Sequence, residues 1–198
     1  MTTTITDKSS DESCVRAATQ GSIAAFEALV SRYESKLLTF LAMKTGQRQD
    51  AEDLLQTTFM KAYLKLDTFD LNKRFSTWIY TIAYHELVSA IRKRRFETTP
   101  IEIESIAAST SQPSIWNDLK SLLNHKDYLL LWLHYGEGYS MKETGEIIGK
   151  REAAVKTAIH RLRKKIRALL AEDGCVQNKA ENDDEKTFLK YGRFHTVE

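Results

Sequence analysis

Residues 74–95 read RFSTWIYTIAYHELVSAIRKRR. Phe75, Trp78, Ile79, Ile82, Ala83, Leu87, Ala90 and Ile91 recur three and four positions apart, the spacing that gathers side chains on one face of an α-helix. A strand would alternate instead. The stripe predicts a core helix. The other side carries Thr77, Tyr80, Thr81, Tyr84 and His85, groups that a helix needing only solubility would replace with Lys and Glu. The segment then ends in four cations, Arg92, Lys93, Arg94 and Arg95.

Two more amphipathic helices are predicted upstream. Phe26, Leu29, Val30, Tyr33, Leu37, Phe40 and Leu41 form one periodic face. After the polar break TGQRQ at 45–49, the acids of DAED at 50–53 suit a helix N-terminus, where the positive end of the dipole favours carboxylates. Leu54, Leu55, Phe59, Ala62, Tyr63 and Leu66 continue that second face. A loop, DTFDLNKR at 67–74, leads back to the opening stretch. With only 8 Gly and 2 Pro in 198 residues, the chain lacks the turn residues that strand pairing demands at short intervals. An all-α fold is expected.

Residues 96–114 contain both prolines and lack helical periodicity, which predicts a flexible linker between two small helical domains, 13–95 and 115–171. In the second domain Leu119, Leu122, Leu123 and the run Leu129 to Leu133 are apolar. Ser140 and Glu143 have capping-box spacing, so a short helix should start there, and Gly149 suits the tight turn that stops it. A longer helix from Arg151 to Leu170 would bury Ala154, Val155, Ile159, Leu162, Ile166 and Leu169. It would expose Lys156, Thr157, His160, Arg161, Lys164 and Lys165. A short helix, a glycine turn and a basic helix outline a helix-turn-helix DNA reader. The tail at 172–198 is acidic and polar at first, then carries scattered aromatics, and has no assigned role.

The formal net charge is only +2 with 42% hydrophobic and 28% charged residues, the balance of a soluble globular protein. Yet RKRR at 92–95 and the run from Lys150 to Arg167 are locally basic, and local charge is what a nucleic acid meets. No basic segment followed by an apolar stretch opens the chain, and its most apolar run, YLLLWL at 128–133, is too short to span a bilayer. A cytoplasmic protein with no membrane insertion is expected. Cys14 and Cys175 fit no metal-ligand spacing and read as two free thiols. GxGxxG, P-loop and HExxH motifs are absent, and the five histidines lack partnering cysteines or carboxylate pairs. No catalytic residues, metal or cofactor are expected.

Two readings of the exposed aromatics stand side by side. Tyrosine faces stack unpaired bases, at roughly 1–3 kcal/mol per base, while RKRR would neutralise backbone phosphates. Alternatively Tyr80 and Tyr84 pack on a neighbouring helix, and RKRR ends a helix with a favourable dipole contact. For the basic helix the alternative is a solvated face without a partner.

Four stretches together resemble the extracytoplasmic-function (ECF) group of the sigma-70 family of bacterial RNA polymerase sigma factors: AFEALVSRYESKLLTFL, DAEDLLQTTFMKAYLKLDTFD, RFSTWIYTIAYHELVSAIRKRR and YSMKETGEIIGKREAAVKTAIHRLRKKI. The first three look like region two and the last like region four. The resemblance implies a transcription initiation factor, not an enzyme, that binds core RNA polymerase and promoter DNA. By it, Asp53, Gln56, Phe59 and Tyr63 would dock on the clamp coiled coil of the β′ subunit, and region four would meet the β flap. Asn72, Lys73, Trp78, Tyr80, Tyr84 and His85, with Arg92, Lys93, Arg94 and Arg95, would hold the melted minus-ten element. Lys156, Thr157, His160, Arg161 and Lys164 would read the minus-thirty-five element. An anti-sigma partner is implied as well. Thr57, His85, Ser89, Thr144 and Ala158 depart from the usual family residues. A regulator or polymerase-binding antagonist that does not itself initiate is the alternative.

Overall fold

The computed structural model describes residues 10–45, 47–97, 119 and 122–172, and among them there is no strand. The chain divides into two compact units, residues 1–108 and 109–198.

The first unit contains helices α1 (Asp11–Thr19), α2 (Ile23–Thr45), α3 (Arg48–Leu64) and α4 (Phe75–Glu97), with a 3-10 turn at Leu66–Thr68. The periodic face predicted for α2 is the core: Leu29, Leu37, Phe40 and Leu41 are fully buried, and Val30 lies at the margin. They pack against Ala51, Leu55 and Ala62 of α3 and against α4. Helix α1 was not anticipated, although its start is legible. Ser10 caps it by accepting a hydrogen bond from the Ser13 N–H, and Asp11 and Glu12 occupy its first turn. It buries Cys14, Val15 and Ala18. Its Asp11 carboxylate accepts hydrogen bonds from Arg32 and from the Tyr33 hydroxyl of α2. Those bonds hold the Arg32 guanidinium's pKa above its ordinary value, the Asp11 hydrogen bond being the largest cause.

Helix α4 departs from expectation in its rotation. It packs on both α2 and α3, so its covered arc is wider than a single apolar stripe and is turned toward Tyr80 and Thr77. Tyr80 is completely buried, edge-to-face with Phe40 at 5.2 Å between ring centroids. Thr77 is buried too, whereas Ile91, expected in the core, is exposed and Trp78 and Ile82 are half-buried. The placing of Tyr80 and Thr77 on the outer surface is therefore corrected. The helix runs through Glu97, two residues past the expected domain edge, because no helix breaker occurs before Pro100.

The second unit contains α5 (His125–Leu131), a π-helical turn (Trp132–Gly136), α6 (Met141–Ile148) and α7 (Glu152–Glu172). Asn124 caps α5 by accepting from the Lys126 and Asp127 N–H groups. The run Tyr128 to Leu133 is buried and meets Ile147, Val155, Ile159, Leu162 and Ile166. Ala154, expected to be buried, is exposed; it follows the tight turn into α7, before the helix face that α5 and α6 cover begins at Val155. Linker positions 98–114 and the tail at 173–198 lie outside the described residues, as does the Leu169 side chain.

Thr144 of α6 is fully buried, and its hydroxyl has no hydrogen-bond partner. An unmet buried hydroxyl costs about 1–3 kcal/mol of desolvation. Thr144→Val keeps the shape and removes that cost. It is expected to raise the stability of this unit by about 1 kcal/mol, measured by urea denaturation.

Candidate nucleic-acid interface

On α3, Asp53, Gln56, Met60, Tyr63 and Leu64 are spaced three, four and seven apart, and all five are exposed. Phe59 lies half-buried at the margin of that face. Tyr63 is anchored edge-to-face on Phe26 of α2, at 5.1 Å between centroids, yet keeps half its surface open. Met60 and Leu64, exposed by 56% and 70%, extend the set that sequence reasoning chose. Their signal was present as an i, i+4 line with Gln56, but Met and Leu on a helix read first as core. Solvent-facing apolar residues beside Asp53 and Gln56 suit a protein partner better than a nucleic acid.

The exposed side of α4 adjoins that of α3. Lys61 Nζ of α3 reaches Glu86 Oε2 of α4 at 2.6 Å, holding the two helices together beside a shallow cleft lined by Lys61, Leu64, Lys65, Ile82, His85 and Glu86. His85 is exposed; its ring centroid lies 6.1 Å from that of Tyr84. Tyr84 is half-buried, and burial pushes its hydroxyl pKa above the ordinary value. Trp78 is half-buried against Phe69 and Phe75, with centroids at 5.1 and 5.6 Å, so one aromatic surface stays accessible at the start of α4. Arg92 and Lys93 are exposed just over one turn beyond Val88, itself 43% exposed. The side chains of Arg94 and Arg95 lie outside the described residues.

The loop before α4 holds Asp70, Leu71, Asn72 and Lys73, all exposed. Asp70 Oδ1 accepts from the Asn72 backbone N–H and from Asn72 Nδ2, each at 3.0 Å. The Lys73 N–H closes the turn on the Asp70 carbonyl at 2.9 Å. Those bonds from Asn72 hold the Asp70 carboxyl below the usual carboxylate pKa. Thus Trp78, Tyr84, His85, Asn72 and Lys73 all have open surface, and Tyr80 does not.

In the second unit the capping box is complete. The Glu143 N–H donates to Ser140 Oγ at 3.1 Å, and the Ser140 N–H donates to Glu143 Oε2 at 2.9 Å. Gly149 adopts φ 68°, the left-handed conformation that ends α6. The Lys150 N–H then donates to the Gly145 carbonyl at 2.8 Å, setting the angle at which α7 leaves. Helix α7 exposes Lys156, Thr157, His160, Arg161, Lys164 and Lys165, as its periodicity required. Lys156 Nζ lies 2.7 Å from Glu152 Oε1, a surface pair that holds the Glu152 carboxyl below its ordinary pKa, chiefly through that hydrogen bond. The Thr157 hydroxyl donates to the Ala153 carbonyl at 2.9 Å. Arg163 instead turns inward, donating to the Tyr135 hydroxyl with its guanidinium carbon 5.5 Å from that ring's centre. Arg163 thus serves the core of this unit, whereas Arg161, Lys164 and Lys165 are exposed. Among the described residues no helix is long and apolar enough to cross a membrane, and no group of three His, Cys, Asp or Glu is placed to hold a metal ion.

Residues 29–97 match the family description Sigma-70 region 2, and residues 127–166 match Sigma-70, region 4. The chain is 30% identical over 168 residues to the ECF RNA polymerase sigma factor SigW of Bacillus subtilis, covering 75% of this chain and 90% of that protein. It is 32% identical over 157 residues to the RNA polymerase sigma factor CarQ of Myxococcus xanthus, again covering 75% and 90%. Among solved structures it is similar to the sigma factor RpoE of Bartonella quintana, crystallised with the anti-sigma factor NepR. That match has a TM-score of 0.65 and 25% identity, over 75% of this chain and 98% of that one.

Proposed function

Because the chain belongs to the sigma-70 family of RNA polymerase sigma factors, in its ECF group, we propose the surfaces through which it acts as a transcription initiation factor. It binds core RNA polymerase and directs it to promoters; the polymerase performs the chemistry. The observation that carries the assignment is what the first unit leaves open: apolar and polar groups along α3, and half-open aromatics of α4 with a tethered loop before them.

The α3 face, Asp53, Gln56, Phe59 and Tyr63 together with Met60 and Leu64, docks on the clamp coiled coil of the polymerase. The loop with Asn72 and Lys73, followed by Trp78, Tyr84 and His85, captures unpaired bases of the upstream melted element, with Arg92 to Arg95 on its phosphates. Tyr80 is withdrawn from this set because it is enclosed by the core. Helix α7 enters the major groove of the minus-thirty-five element, where Arg161 suits guanine and Lys156, Thr157 and His160 reach neighbouring edges. Region four meets the β flap. An anti-sigma protein covers these faces when the factor is idle, as NepR accompanies the similar RpoE. The site of action is the bacterial cytoplasm.

The contributions of two α7 residues are separable. Lys164→Ala is expected to weaken binding at every sequence and to lower the salt slope of log K by about 0.9, one phosphate contact's worth. Arg161→Ala should instead relax base preference at one position, costing about 1–3 kcal/mol of discrimination. Filter binding across a salt series on cognate and scrambled duplexes separates the two; identical behaviour would remove α7 from the groove.

The whole assignment is tested by adding the protein to sigma-free core polymerase with candidate promoters, including the DNA upstream of its own gene. Starts that appear only with the protein support it. Tight core binding without initiation would make the protein an antagonist instead.

A further inference from the structure

The exposed side of α7 carries a charge that the helix itself does not balance. Between Glu152 and Glu172 its sequence contains no acid, while Arg161, Lys164 and Lys165 are exposed within little more than one turn. Glu152 pairs with Lys156 at 2.7 Å and lies nine residues before Arg161, too far for a contact along the helix, where only residues three and four apart meet. Arg161 and Lys165, four apart, repel each other. Away from DNA this face therefore favours an anionic occupant.

The chain supplies one. Residues 173–185 contain five acids against one lysine, and Glu181, Asp183, Asp184 and Glu185 are interrupted only by Asn182. Residues 186–198 contain three cations against one acid, so the anionic block is confined to the first half of the tail. Glu172 ends α7 seven residues beyond Lys165, about 10 Å of helix. The block begins nine residues further on, a tether that spans up to about 30 Å when extended. The reach thus exceeds the distance back to Lys165. A short tether also keeps its block at an effective concentration of about millimolar, which favours this chain's own tail over that of a second copy.

Resting on the assignment of α7 to duplex DNA, we propose that the acidic segment 181–185 occupies the exposed cationic face of α7 in the free protein, and that promoter DNA must displace it. Carboxylates meet the same lysines and arginine that phosphates would, but they offer no base edges. Displacement therefore lowers affinity for cognate and scrambled duplexes by the same factor. It suppresses idle binding without altering base preference. Contacts between exposed charges are screened by salt, so the factor shrinks as salt rises.

The test uses the full-length chain carrying Glu181→Gln, Asp183→Asn, Asp184→Asn and Glu185→Gln together. A control carries Glu12→Gln, Glu27→Gln, Glu34→Gln and Asp67→Asn, four exposed acids of the first unit, which matches the change in net charge. At about 50 mM salt the tail variant should bind cognate and scrambled minus-thirty-five duplexes about tenfold more tightly than wild type, as several weak surface ion pairs acting together would give. At about 300 mM salt the gain should fall below about twofold, and the control should stay within about twofold of wild type throughout. Carbodiimide, which joins a carboxylate to an adjacent amine, should link segment 181–185 to Lys164 or Lys165 within one chain of the wild-type protein. Duplex DNA should abolish that link. Unchanged binding by the tail variant, an equal gain in the control, or no link to α7 would each overturn the proposal. Links found only between copies, in a mixture of isotopically light and heavy protein, would overturn it as well. If neither protein binds the duplex, alone or with core polymerase, α7 is removed from DNA, and the link pattern alone decides whether the tail contacts it.

Discussion

Replacing Tyr80 with alanine is expected to cost the first unit about 3–5 kcal/mol, the range for removing a large aromatic side chain from a packed core. The ring is fully enclosed and stacked edge-to-face on Phe40, at the junction where α4 meets α2. Loss on that scale is comparable to the whole stability of a small unit, so thermal melting should fall sharply and polymerase binding, promoter opening and solubility should fail together. Tyr84→Ala should behave differently. Tyr84 is only half-buried, so melting should change little while open-complex formation drops and duplex binding by α7 persists. Calorimetry of both variants, paired with an opening assay, separates structural from base-facing tyrosine. A normally folded Tyr80→Ala protein with a selective opening defect would return Tyr80 to the DNA.

The second large effect is expected at Gly145. A β-carbon there would sit 2.6 Å from the backbone carbonyl oxygen of Lys150 and 3.5 Å from a methyl group of Val155. The first distance is too short for any real contact, and the oxygen belongs to backbone in the turn that sets α6 against α7. Gly145→Ala gains about 1 kcal/mol of helix propensity. Overpacking against an immobile neighbour costs about 1–3 kcal/mol or more, and relief requires the Lys150 N–H to leave the Gly145 carbonyl, now 2.8 Å away. The clash therefore wins. Even where the unit stays folded, α7 should leave the turn at a different angle, so recognition of the minus-thirty-five element should fall at least tenfold while polymerase binding through α3 is retained. Circular dichroism and promoter competition would show this. Wild-type recognition by Gly145→Ala would mean that the turn gives way without moving α7.

Gly149, three residues from the start of α7, presents the opposite case. An added β-carbon there would meet nothing within 4 Å, but its φ of 68° is one that other residues adopt only with strain. Space forbids a side chain at Gly145, and backbone conformation forbids one at Gly149. From the sequence the second was readable as a helix stop, whereas the first looked like an ordinary glycine within a short helix.

What the sequence by itself determined is what depends on neighbours within a turn or two. The three- and four-residue spacing from Phe26 to Leu41 made α2, Ser140 and Glu143 closed a capping box, Gly149 ended α6, and the cations of α7 were exposed as their spacing required. The family followed from the order of such local segments. Only the tertiary structure decided which side of α4 is covered. Two helices pack on it, so the buried arc turned away from Trp78, Ile82 and Ile91 and took in Tyr80 and Thr77. It likewise paired Lys61 with Glu86, 25 positions apart, and docked α1 through Asp11 on Arg32 and Tyr33. Periodicity reports that a helix has a wet and a dry side, but the width and direction of the dry side depend on how many neighbours arrive and from where, and that is set by contacts between residues distant in the chain.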